Sequence, residues 1–133
     1  MFRNAHAFSG FSVNDIEAAK TFYGQTLGLE VALNEMGILD ITLDSGAKVI
    51  AYPKDNHQPA TFTILNFFAP NINEAVDQLT AAGVRMERYQ GFKQDEKGIA
   101  RDEMGPPIAW FTDPAGNILA VIEDEAEEKA VGA

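Results

Sequence analysis

The residues Val13-Asn14-Asp15-Ile16-Glu17-Ala18-Ala19 recur, loosely, as Ala69-Pro70-Asn71-Ile72-Asn73-Glu74-Ala75, 56 positions further on. In a chain of 133 residues that offset is close to half the length. One supersecondary unit is therefore written twice, and any fold assigned to the chain has to be a doubled one.

Each copy opens on an apolar, aromatic-rich strand, residues 6–13 with Phe8, Phe11 and Val13, and residues 61–69 with Phe62, Ile64, Phe67 and Phe68. Each strand runs into a helix start. Asn14-x-x-Glu17 and Asn71-x-x-Glu74 both have the form of a capping box, in which the Asn side chain accepts a free backbone N–H and the Glu reaches back. The first helix gathers Ile16, Ala19, Phe22 and Tyr23 on one stripe and the second Ile72, Ala75, Val76 and Leu79; Gly28 and Gly83 end them. Short strands follow at 29–34, 37–43 and 47–53, then at 84–89, 107–112 and 117–123. Asp44-Ser45-Gly46 and Asp113-Pro114-Ala115-Gly116-Asn117 are the hairpin turns. The unit is βαβββ, made twice, which is an α+β fold. One domain over 1–133 is expected, with module one at 6–53, a linker at 54–60, module two at 61–123 and an acidic tail at 124–133.

One stretch breaks the symmetry. Residues 90–106 hold Gly91, Gly98, Gly105 and Pro106 among mixed charges, and form a long connection between two strands of copy two. Loops of this length in compact domains serve a function or are disordered, so a lid over a pocket and a mobile surface loop are both open readings. Lys93, Asp95, Lys97, Arg101 and Asp102 either bring charge to a pocket mouth or form a solvated loop.

Composition removes whole classes of chemistry. Without cysteine there are no disulfides, thiolate metal sites or thiol nucleophiles. Twenty acidic residues against ten basic ones give −10, which repels nucleic acid. Glu123, Asp124, Glu125, Glu127 and Glu128, offset by Lys129, carry four of those ten net charges at the C-terminus. No apolar run is long enough for a membrane span, and Met1–His6 lacks the apolar stretch of a signal peptide, so a cytoplasmic setting with no membrane partner is expected. No nucleophile elbow and no phosphate-cradling glycine loop is present; His6, His57 and the carboxylates are the groups left for acid–base work.

Two segments resemble the vicinal oxygen chelate superfamily, which holds glyoxalase I, the bleomycin- and fosfomycin-resistance proteins and the extradiol dioxygenases. They are Phe11-Ser12-Val13-Asn14-Asp15-Ile16-Glu17-Ala18-Ala19-Lys20-Thr21-Phe22-Tyr23 with Leu27-Gly28-Leu29-Glu30-Val31, and Trp110-Phe111-Thr112-Asp113-Pro114-Ala115-Gly116-Asn117. The resemblance covers nearly the whole chain. It implies two βαβββ modules forming a curved mixed sheet around a cleft, with helices on the outer face, and a homodimer. In the metal-dependent members it puts His, Glu or Gln ligands on the first and fourth strand of each module. By motif spacing those positions here are Phe8, Ala51, Ile64 and Ala120, none of which can bind a metal. The fold is implied, while glyoxalase and dioxygenase chemistry is put in doubt; no metal and no cofactor are expected.

Alternation then gives the cleft face: His6, Phe8 and Gly10; Val49, Ala51 and Pro53; Phe62, Ile64, Asn66 and Phe68; Ile118, Ala120 and Ile122. The resemblance to fosfomycin-resistance members implies that Trp110 points at a ligand. Such a cavity suits a small hydrophobic or aromatic molecule, with Asn66 either orienting it or satisfying backbone groups. The expected ligand-binding residues are His6, Phe8, Ala51, Ile64, Asn66, Phe68, Trp110 and Ala120, with His6 the candidate for any catalysis. Three functions fit: a metal-free small-molecule binder resembling the bleomycin-resistance branch, an isomerase-, lyase- or dioxygenase-like enzyme on the same scaffold, or a structural dimer whose cavity its own Phe8, Phe62, Phe68 and Trp110 fill.

Overall fold

The computed structural model describes residues 1–102 and 105–124; the acidic run from Glu125 onward lies outside the described residues. The chain divides into two compact units, Met1–Pro59 and Ala60–Ala133. The first contains β1 (Ser9–Val13), α1 (Ile16–Thr21), β2 (Glu30–Leu33), β3 (Leu39–Thr42) and β4 (Lys48–Pro53). The second contains β5 (Thr63–Ala69), α2 (Ile72–Ala81), β6 (Met86–Glu87), β7 (Ile108–Thr112) and β8 (Ile118–Glu123). Each unit forms its own four-stranded mixed sheet, in the orders β1-β4-β3-β2 and β5-β8-β7-β6. The pairs β1/β4 and β5/β8 are parallel and the others antiparallel. Adjacent strands joined by short turns pair antiparallel, and only the helix-bearing crossover can bring the first strand parallel to the last. The doubled α+β fold read from the repeat is the fold of the protein.

The two helices start at positions 56 residues apart. Asp15 caps α1, its carboxylate accepting the N–H of Glu17 at 3.1 Å and of Ala18 at 3.2 Å. Asn71 caps α2 and accepts the N–H of Glu74 at 3.1 Å. The expected cap at Asn14 is therefore one residue early, because Asn14 corresponds to Pro70 in the second copy and Asp15 to Asn71. A full S/T/D/N-x-x-E pattern thus exists only at α2; three residues after Asp15 stands Ala18.

After Thr21 the first helix widens into a π turn over Phe22–Thr26, closed by the Leu27 N–H on the Phe22 carbonyl at 2.9 Å. That widening puts two consecutive aromatics, Phe22 and Tyr23, into the core, where the Tyr23 ring lies 5.1 Å from Phe22 and 5.6 Å from Phe11. Gly24 lets β2 pass alongside: a Cβ there would stand 2.7 Å from Val31 Cγ2. The rest of this core is Val13, Ala19, Leu39, Ile41, Val49 and Ala51. In the second unit Ile72 and Val76 of α2 pack on Ile99, Ala109 and Val121. Burial of these aliphatic groups contributes most of the stability, about 1.5–3 kcal/mol for each large side chain.

Polar groups finish the second unit. The buried Asp113 accepts the N–H of Ala115 and Asn117, both at 2.9 Å, and the Asn117 side-chain amide at 3.0 Å, so the turn before β8 closes on itself. Glu123, at the end of β8, accepts the Ile72 N–H at 3.0 Å and places a carboxylate at the start of α2. Among the described residues no helix is long and apolar enough to cross a membrane.

Candidate functional site

Each sheet has one face under its helix and one open face, and the strand registers decide which residues lie on which. In the first unit Phe11 pairs with Ala51, Gly10 with Ile50 and Ser12 with Tyr52. Phe11, buried against Tyr23, marks the helix side. Ala51, at 0% exposure, lies on that side with Val49, Leu39 and Ile41. The expectation that Val49, Ala51 and Pro53 share a face with Phe8 and Gly10 is therefore corrected by one residue: the open face carries Gly10, Ser12, Ile50 and Tyr52. The second copy gives the same answer, because Asn66 pairs with Ala120 as Gly10 pairs with Ile50. The counterpart of Ala120 is Ile50, not Ala51. A single-residue slip exchanges the faces of a strand completely.

His6 and Phe8 precede β1, whose first residue is Ser9. Both are exposed, Phe8 at 65%, and neither is held in the sheet, so strand alternation does not fix where they point. The other histidine is better placed. His57 folds back from the segment after β4, and its Nδ1 lies 2.6 Å from Ser12 Oγ on β1.

In the second unit the register brings four of the expected residues onto one face. Asn66 pairs with Ala120, Phe68 with Ile122 and Trp110 with Ala120, so Asn66, Phe68, Trp110 and Ala120 share the open face with Ile108, Ile118 and Ile122. Ile64 sits at a register shift between Thr63 and Leu65 and is half-buried. Asn66 is exposed, so its amide is open to water or a ligand and does not carry the buried-amide burden the sequence suggested.

The centre of this face is an aromatic cluster that includes two residues the sequence reading missed. Trp110 is only 8% exposed. The Tyr89 ring stands edge-on to it at 5.5 Å and 78°, and the Phe92 ring lies over it at 4.9 Å and 52°. Ala100 and Ala120 complete the surround. Tyr89 and Phe92 come from the start of the long connection between β6 and β7. The only sequence signal for them was a Tyr-x-x-Phe spacing beside Gly91.

That connection is built, not loose. The Gln94 side chain donates to the Gly98 carbonyl at 2.7 Å and the Glu87 carbonyl at 2.9 Å, and accepts the Tyr89 N–H at 2.8 Å. Ala100 bridges to both Gln94 and Ile108, and Ile99 enters the core under α2. Two of the loop's cations go to the helix side: Lys97 Nζ pairs with Asp77 at 3.0 Å, and Arg101 reaches Asp95 at 3.6 Å and Asn73 at 3.2 Å. They do not line the aromatic face.

Two ionisable groups are shifted. The Tyr89 phenol is held above its ordinary value, first by burial and then by the charge of Glu87, so it stays a neutral hydrogen-bond donor across the physiological range. Burial opposes ionisation of Asp95, but the N–H groups of Ile99 and Lys97 and the nearby Arg101 outweigh it and hold the carboxyl below its usual range.

Residues 5–121 match the model of the Glyoxalase/Bleomycin resistance protein/Dioxygenase superfamily. The chain belongs to that superfamily. A superfamily member from Sphaerobacter thermophilus superposes with a TM-score of 0.70 at 25% identity, covering 90% of this chain and 98% of that one. A lactoylglutathione lyase from Agrobacterium tumefaciens gives 0.66 at 19% identity, with 92% and 96% covered. A genomically encoded fosfomycin resistance protein from Listeria monocytogenes gives 0.70 at 16% identity, with 95% and 98% covered. No curated protein matches the sequence. The last two likenesses concern the fold alone.

Within this superfamily a metal is the natural question, and the donor chemistry answers it. The positions the resemblance gives for ligands are Phe8, Ile64 and Ala120 with Ala51, or with Ile50 once the register is corrected. All are hydrocarbon side chains without a lone pair to offer. Among the described residues no three His, Asp or Glu side chains gather to hold an ion. These residues do not fit a metal.

Proposed function

We propose that this superfamily member is a binding protein for a small hydrophobic or aromatic molecule, taken without a metal on the open face of the second sheet. The observation that carries the reading is the cluster of Tyr89, Phe92 and Trp110, on the same open face as Phe68, which is 58% exposed. An aromatic guest gains area burial there, and each well-oriented ring pair adds about 0.5–1.5 kcal/mol. Asn66 and the Tyr89 hydroxyl supply the few polar contacts that orient a guest in an apolar site. Among the groups named on this face, Glu87 is the one carboxylate and Tyr89 keeps its proton, so binding is favoured over acid–base turnover. A homodimer in the cytoplasm belongs to the same reading: Phe62 and Phe92 are left 67% and 55% exposed, as expected of surfaces that meet a partner.

A second reading draws on the near-complete burial of Trp110. If Tyr89 and Phe92 serve only to seal it, the face is already filled and the protein is a structural dimer. The two readings separate in one experiment. Amide shifts of isotope-labelled protein are followed while flat aromatic fragments are added. Shifts that saturate and centre on residues 66, 68, 89, 92, 110 and 120 support binding. Shifts scattered over the surface, or none across the fragment set, support the sealed face.

A further inference from the structure

Across the second sheet from Trp110, beside α2, three cations line one open cavity of about 350 Å³. Arg85 and Arg88 flank the two-residue β6, and Lys97 lies in the turn of the long loop; Asp77 and Thr80 of α2 form the opposite wall, with Val84 and Met86 between. The chain has only ten basic residues against twenty acidic ones, so three around one cavity concentrate its minority charge.

The site is also built. Arg88 Nη2 donates to the Asp95 carbonyl at 2.8 Å, and Lys97 is held by Asp77 at 3.0 Å. Between them runs a tight turn in which the Asp95 carboxylate accepts the N–H of Lys97 and of Ile99, both at 2.9 Å. Gly98 makes that turn with φ +86°, and a Cβ there would come within 3.3 Å of Met86 Cβ, so the turn sits closely on β6. Arg85 is exposed and has no hydrogen-bond or ion-pair partner among the described residues. Lys97 is neutralised by Asp77, which leaves the two guanidinium groups as the unspent charge.

We propose that this cavity binds a small organic anion carrying one carboxylate or phosphate group and a short apolar body. The anionic oxygens take the N–H groups of Arg85 and Arg88, whose planar donors match two-oxygen acceptors. The apolar part lies on Val84 and Met86. Glu96 and Asp77 in the wall repel a second negative group, so polyanions are disfavoured.

The test is an amide-shift titration of the full chain with phenyl phosphate and with benzoate at constant ionic strength, using sulfate as the bare-anion control. The expected result is saturable binding in the millimolar range by at least one of the two organic anions, tighter than sulfate, with shifts centred on residues 84–88 and 96–98. The R85A,R88A variant, with both cations removed, should bind at least about tenfold more weakly. R85A alone, at an exposed residue without a partner, keeps the fold and should already show part of the loss. Unsaturable responses, equal affinity in the variants, no preference over sulfate, or shifts centred on Trp110 would each overturn the proposal. Only shifts centred on Trp110 would bear on the aromatic face, and in its favour; the other outcomes are read at different residues.

Discussion

The two units share one plan and differ in how they join their second and third strands. In the first, β2 and β3 are linked by a tight turn in which the Asn34 side chain accepts the N–H of Met36 at 2.9 Å and of Ile38 at 3.1 Å. In the second, β6 shrinks to two residues and the link to β7 runs from Arg88 to Pro107. That long insertion delivers Tyr89 and Phe92 to one side of the sheet and Lys97 to the other. On the open face of the first sheet, with Gly10, Ser12, Ile50 and Tyr52, His57 reaches Ser12. A repeated scaffold supplies two similar platforms, and the connection added to one of them makes it specific.

The sharpest way to break the comparison is at the register that equates Gly10/Ile50 with Asn66/Ala120. A51E puts a carboxylate into a fully buried site beneath α1 and should cost about 4 kcal/mol or more, a large part of a typical domain's stability. I50E, one residue away on the open face, should cost no more than about 1.5 kcal/mol. Urea denaturation of both variants measures the difference; equal losses would return Ala51 to the open face.

Next comes the brace that makes the second unit different. Q94A removes three hydrogen bonds and should cost about 2 kcal/mol. The loss should appear as faster amide hydrogen exchange confined to residues 88–100 and as red-shifted emission from Trp110, the chain's single tryptophan. Unchanged exchange would mean that Ile99 and the Ala100 bridges hold the loop alone.

A smaller effect tests the helix starts. D15A should cost about 1 kcal/mol and N14A less than about 0.5 kcal/mol. The reverse order, by thermal or urea unfolding, would restore the cap to Asn14.

The smallest effect is in pH. Asp95 has its carboxyl lowered in the folded state, so it adds stability above the unfolded carboxyl pKa of about 3.9, and that contribution is lost as pH falls below this value through the folded one. D95N should flatten the acid limb of the stability profile of the native chain below about pH 4. An unchanged acid limb would contradict the Asp95 turn.

Much of this was legible in the sequence, because it follows from local rules. The 56-residue offset between the two copies, the glycines after each helix and the Asp113–Asn117 turn place elements without any knowledge of tertiary contacts, while the cap of the first helix falls one residue past the Asn14 that the sequence suggests. Alternation also puts Asn66, Phe68 and Ala120 on one face of the second sheet, whereas Trp110 was implied by the family resemblance alone. What stayed hidden depends on contacts made at a distance. The parity of β4 is set by its pairing with β1, and both Val49 and Ile50 are apolar, so the residues alone do not choose a face. Gln94 reads as an ordinary loop glutamine until its three partners are in place. His57 reads as linker until the chain folds back on Ser12. The apolar character at the metal positions survives the one-residue correction, since Ile50 is no better a donor than Ala51.

The central claim is that the second sheet's open face takes an aromatic guest around Trp110 without a metal. The direct measurement is the emission of Trp110, titrated with the fragments that shift residues 66, 68, 89, 92, 110 and 120, first in protein stripped with a chelator and then with Mn²⁺, Zn²⁺ or Ni²⁺ restored. Saturable quenching with the same dissociation constant in every condition is predicted, together with a stability gain of about 2.7 kcal/mol at one hundred times that constant. Quenching that appears only after a metal is restored would contradict the account.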